Sequence, residues 1–119
     1  MSIKPLPFYE NDLPDQLDNL VLMEELICQL EKDLRIKEIN PRLKYTLKLM
    51  DLGDWLRKYV QGKFEMKSED FFNSLYAIDI EDKMLKAIFE SDQPYEELAQ
   101  LIIKRELYKV IMRQKFSTN

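Results

Sequence analysis

From Leu13 onward the apolar residues recur at steps of three and four, the spacing of helices with a buried side, and no strand-like alternation runs beyond four residues. The first helix is expected to start near Asp12 or Asp15 and to run to about Lys37, with Pro14 tolerated in its first turn. At 100° per residue Leu13, Leu20, Met23, Leu26, Ile27, Leu30 and Leu34 share one arc of roughly 140°, a core-facing stripe. Leu17, Val21 and Cys28 form a second strip beside it, either the flank of an embedded helix or an exposed seam.

Asn40-Pro41 opens a second helix, with an N-cap side chain followed by proline at the first helical position. Tyr45, Leu49, Leu52, Leu56 and Tyr59 make its apolar face, and Gly62 stands where a left-handed C-terminal cap would end it after about Gln61. Ser68-Glu69-Asp70 caps a short third helix to about Tyr76. A fourth spans about Ile80 to Glu90, with Ile80, Met84, Leu85, Ile88 and Phe89 facing inward. Pro94, Glu96 and Glu97 begin a fifth, which extends to about Lys115.

The fifth helix is apolar on two sides. Leu98, Leu101, Ile102, Tyr108 and Met112 lie on one, and Ala99, Ile103, Leu107, Val110 and Ile111 on the other. A helix of that kind has to be covered twice, so it is expected at the centre of the bundle, with burial against a partner as the alternative. Short connections such as residues 36–40 favour antiparallel neighbours. The whole is a single-domain, all-α bundle over residues 15–116. It is preceded by an extended arm, 1–14, that Pro5, Pro7 and Pro14 keep from regular structure, and followed by a disordered tail, 117–119.

Composition narrows the chemistry. The chain has 119 residues, one domain's worth, and it is 45% apolar and 34% charged, outside the ranges of disordered tails and of integral membrane proteins. It contains no histidine, which removes Ser- and Cys-His hydrolytic sets, Cys/His zinc sites and the Glu-x-x-His di-metal sites of helical bundles. Two glycines leave neither a phosphate-binding loop nor a dinucleotide fingerprint. The carboxylates Asp51 with Asp54, Asp79 with Glu81 and Asp82, and Glu96 with Glu97 are better explained as helix starts and neighbouring ion pairs than as acid–base or metal sites. No enzyme, cofactor or metal is expected. Cys28 is the sole cysteine and no apolar run is long enough to span a membrane, so a cytoplasmic setting is expected.

Charge is unevenly spread. The net charge of −4 divides into −5 over residues 1–30, +4 over 31–67, −7 over 68–103 and +4 over 104–119. Alternating blocks can neutralise one another inside a helical fold. The basic end, with Arg105, Lys109, Arg113 and Lys115, is a candidate for contact with acidic groups or nucleic acid, although the overall sign disfavours the latter. Arg105 falls within an apolar face, so its head is expected to reach an acidic residue. Trp55 projects among Lys44, Lys48, Asp51 and Lys58, with Leu43, Leu47 and Met50 on the same helix. Together they are the candidate partner-binding residues, because a tryptophan ringed by charge has the composition of a contact patch. The leading expectation is a non-enzymatic protein–protein interaction module (adaptor, small chaperone, inhibitor or immunity-type factor) that binds another protein or itself. A nucleic-acid-associated regulator is the alternative.

Overall fold

The computed structural model describes residues 20–37, 39 and 49–117, and the side chains of 21–37, 39 and 51–114. The arm at 1–14, the starts of the first two helices, and residues 118–119 lie outside that range. Within it are five α-helices and no strand: α1 (Leu20–Asp33), α2 (Leu49–Glu65), α3 (Glu69–Ala77), α4 (Asp82–Phe89) and α5 (Pro94–Ser117). The all-α bundle expected from the periodicity is the fold observed. α5 includes Ser117, the first residue of the expected tail.

α5 is the central element, and α1, α2 and α4 all pack on it. Both of its apolar sides are covered. Leu98, Leu101 and Ile102 are buried on one, and Ala99, Ile103, Leu107 and Val110 on the other. The α1 stripe is buried as its spacing implies, with Met23, Leu26, Ile27, Leu30 and Leu34 at 3% exposure or less. Of the neighbouring strip, Val21 is 59% exposed and Cys28 is exposed, while Leu17 lies outside the described residues. α2 adds Leu52, Leu56 and Val60, and Phe71, Leu75, Ile78, Ile80 and Ile88 complete the core from α3, α4 and their connection.

Helix ends depart from the sequence-based expectation for an identifiable reason. α1 stops at Asp33, not near Lys37, because Arg35 adopts the left-handed conformation (φ 57°). The Ile36 N–H then donates to the Glu31 carbonyl and that of Arg35 to the Lys32 carbonyl, which is a Schellman closure. Lys67 (φ 54°) ends α2 in the same way through Ser68 to Lys63 and Lys67 to Phe64. Asp79 (φ 62°) ends α3 through Ile80 to Leu75 and Asp79 to Tyr76. None of the three is glycine, which is why the sequence does not advertise these caps. Ser68 does what its identity suggests, its Oγ accepting from the Phe71 N–H to start α3.

Gly62 is not the C-cap. The helix continues through it to Glu65, because Phe64 lies against four other rings, and that docking outweighs the roughly 1 kcal/mol a mid-helix glycine costs. A Cβ at Gly62 would meet nothing within 4 Å. Gly62→Ala is therefore expected to stabilise the protein by about 1 kcal/mol and to raise Tm by about 4 °C in a thermal melt followed by circular dichroism.

Candidate functional site

The most distinctive surface is aromatic. Trp55 and Tyr59, one turn apart on α2, stack with ring centroids 5.2 Å apart and planes 12° from parallel. Tyr59 meets the edge of Phe71 at 5.9 Å, and Phe71 meets Phe64 at 5.6 Å. Phe64 in turn touches Phe72 at 4.8 Å, Phe89 at 4.7 Å and Tyr95 at 6.1 Å. Seven rings from α2, α3, α4 and α5 are thus continuous, yet only Phe71 is buried. Phe89 is 37% exposed, the other five are half-buried, and Lys63 lies over the Tyr59 ring at 5.4 Å. Offset and edge-on packing at these separations adds attraction beyond area burial, so the rings form a firm platform and not a loose patch.

Trp55 does not stand apart on a charged side of α2, as its neighbours in sequence suggest. It is half-buried, packed against the core and stacked on Tyr59, which belongs to the helix's apolar face. The two residues are only 40° apart around the axis at 100° per residue, and a ring as broad as indole covers that gap. Phe89, expected inward, is at the rim for the complementary reason: its ring completes the platform against Phe64 and Tyr95 and not the core beneath. Leu43 and Leu47 lie outside the described residues, and Met50 is in α2 with its side chain outside them.

The basic residues of α5 separate into different settings. Lys109 Nζ donates to Asp33 Oδ2 at 2.8 Å, and Arg113 donates to Gln29 Oε1 at 2.7 Å, so both are engaged with α1. Arg105 does not meet the expected carboxylate among the described residues. Its Nη2 lies 3.9 Å from Met84 Sδ, and its buried Nε has no hydrogen-bond partner. Lys115 is in α5 with its side chain outside the described set.

The α1–α5 contact holds a group the sequence did not single out. Glu106 has no exposed surface and, among the described residues, neither carboxyl oxygen has a hydrogen-bond partner, with Lys109 Nζ at 3.7 Å from Oε2. Burial, reinforced by the neighbouring Asp33 carboxylate and only partly opposed by Lys109, pushes the Glu106 carboxyl up to about 8. Asp33 goes the other way. Burial would raise it, but the hydrogen bonds from Lys109 and Gln29 prevail and hold it below its usual value. For Lys109, burial is likewise outweighed by Asp33, and its ammonium is held above the ordinary lysine value. The signal for Glu106 lies in the apolar row Ala99, Ile103, Val110, where it is the one charged residue at helical spacing.

Elsewhere the chemistry is sparse. Among the described residues no group of three or more Cys, Asp or Glu side chains could hold a metal ion, and no helix is long and apolar enough to cross a membrane. An open depression at the start of α5 is lined by Ser91, Asp92, Gln93, Glu96, Glu97 and Gln100, a set with acceptors but no nucleophile paired to a base. Compared with known protein families, curated proteins and solved structures, the chain has no significant match.

Proposed function

We propose that the chain is a non-enzymatic protein–protein interaction module, an adaptor, small chaperone, inhibitor or immunity-type factor, that works through a helix-borne aromatic face. The observation that carries this reading is the partly buried row from Trp55 and Tyr59 through Phe64 to Phe72 and Tyr95, with Phe89 exposed at its rim. Trp and Tyr held rigid by their neighbours give large contact area at low entropic cost, the property that makes them interface hot spots. The absence of histidine supports a non-catalytic role, and a lone exposed Cys28 suits a reducing compartment such as the cytoplasm. The alternative of a nucleic-acid-associated regulator has less behind it, because Lys109 and Arg113 are already engaged with α1.

Trp55→Ala tests the reading. The variant is expected to keep its helical circular dichroism and to lose about 1–2 kcal/mol of stability, since a half-buried ring and its stacking partner are disturbed. Association with a partner protein, or self-association measured by sedimentation, should weaken at least tenfold, the lower end for a hot-spot tryptophan. Leu30→Ala serves as the control, for Leu30 is buried on α1, outside the aromatic row. It should lower stability and leave association unchanged. Equal losses of association in the two variants would mean that binding merely follows stability, and the aromatic face would not be the site.

A further inference from the structure

Among the described helices α1 packs chiefly on α5, and among the described residues the polar end of that contact has more carboxyl groups than cations to serve them. Glu106 is enclosed with both oxygens unpartnered. Asp33 acts on it from α1, and Asp33 already takes the Lys109 ammonium at 2.8 Å and the Gln29 amide at 2.9 Å. Lys109, one turn beyond Glu106 on α5, is thus committed to the other carboxylate and reaches Glu106 only at 3.7 Å. Asp79, in the α3–α4 connection, is a third carboxylate acting on that same lysine. Arg113 is turned to the Gln29 carbonyl oxygen, and among the described residues of α2 and α4 no titratable group acts on Glu106. Glu106 has no exposed surface, and among the described residues Lys109 is the cation the two carboxyls share, so a second negative charge in this enclosed space is costly and the arrangement calls for a proton on one of them. Glu106 is the one that needs it, since Asp33 holds two donors within 2.9 Å and Glu106 has only Lys109, at 3.7 Å.

We propose that the α1–α5 contact is a proton-held clasp, in which Glu106 is a neutral carboxylic acid in the closed bundle and its ionisation releases α1 from α5. On release the proton goes to solvent, the carboxylate gains water, and the apolar stripe Met23, Leu26, Ile27 and Leu30 becomes accessible together with the α5 surface it covered. This regulation concerns a face of the molecule separate from the Trp55 platform and does not depend on it.

Backbone hydrogen exchange, followed helix by helix from about pH 6 to 9 and corrected for the intrinsic pH dependence of the chemistry, tests the clasp. In the wild-type protein α1 amides are expected to lose protection about tenfold per pH unit from about pH 6 to 8, where the opened form has released the proton that the closed form keeps, to level off above about 8, and to exchange ahead of the Leu52–Val60 stretch of α2 throughout. In Glu106→Gln the α1 protection should be flat over the same range. A flat wild-type profile, or equal slopes in both proteins, overturns the proposal. Carbon-13 titration of glutamate carboxyls in the wild-type protein gives a readout independent of how the variant folds. One resonance, assigned to Glu106, should still be protonated at about pH 6, where ordinary glutamates have ionised. A Glu106 carboxyl already ionised there overturns the clasp.

Discussion

Ile102→Ala is expected to remove about 3–4 kcal/mol of stability, a larger loss than that of Trp55→Ala. The residue has no exposed surface and lies midway along α5, the helix on which α1, α2 and α4 converge. Truncation removes the transfer free energy of three carbons and leaves a cavity that several elements border, so collapse of any one of them closes only part of it. A domain of this length has a total stability of roughly 6–18 kcal/mol, so the variant should give up a fifth to a half of it. Urea unfolding followed by circular dichroism reads this as a large drop in midpoint with little change in slope. Val21→Ala on the outward side of α1 should stay within about 0.5 kcal/mol. A loss below about 1 kcal/mol for Ile102→Ala would mean that α5 is not enclosed.

Alkaline pH should weaken the fold, and Glu106→Gln should cancel much of the effect. Glu106 titrates near 8 when folded and near its ordinary 4.5 when unfolded. Between those values the folded chain keeps a proton that the unfolded chain has released, so stability falls as pH rises through this window and is lowest above about 8. The difference between the two values corresponds to at most about 5 kcal/mol. Asp33 has the opposite sign, because its lowered value gives stability that is present above about 4 and lost in acid. The most stable pH should therefore lie on the mildly acidic side of neutrality. At about pH 9 Glu106→Gln should exceed the wild type by about 2–4 kcal/mol, and near pH 5 the two should nearly coincide, since a neutral amide replaces a neutral acid of similar shape. A variant less stable than the wild type at about pH 9 would show that the ionised carboxylate finds a partner.

The helical architecture is legible in the sequence because burial imposes a period. The α1 stripe and the two apolar sides of α5 follow from position alone, and Ser68 announces α3 because its hydroxyl has one obvious use there. Helix ends are less legible where tertiary contacts override local preference. Gly62 is carried inside α2 by Phe64, and Arg35, Lys67 and Asp79 take the left-handed conformation that glycine would signal. The aromatic platform joins residues 55 to 95 of the sequence, so only Trp55 stands out from composition and spacing, and its stacking on Tyr59 depends on the fold. Glu106 is inconspicuous because carboxylate pairs show themselves along one helix, whereas its neighbour Asp33 comes from another.

The most direct test of the proposed function is affinity purification of the tagged protein from its own cell extract at low salt, run with and without nuclease and repeated with Trp55→Ala. A stoichiometric protein partner, or a second copy of the chain, should survive nuclease and be lost from the Trp55→Ala sample. Partners that disappear with nuclease and persist with Trp55→Ala would contradict the aromatic face as the site and move the function to the basic end of α5.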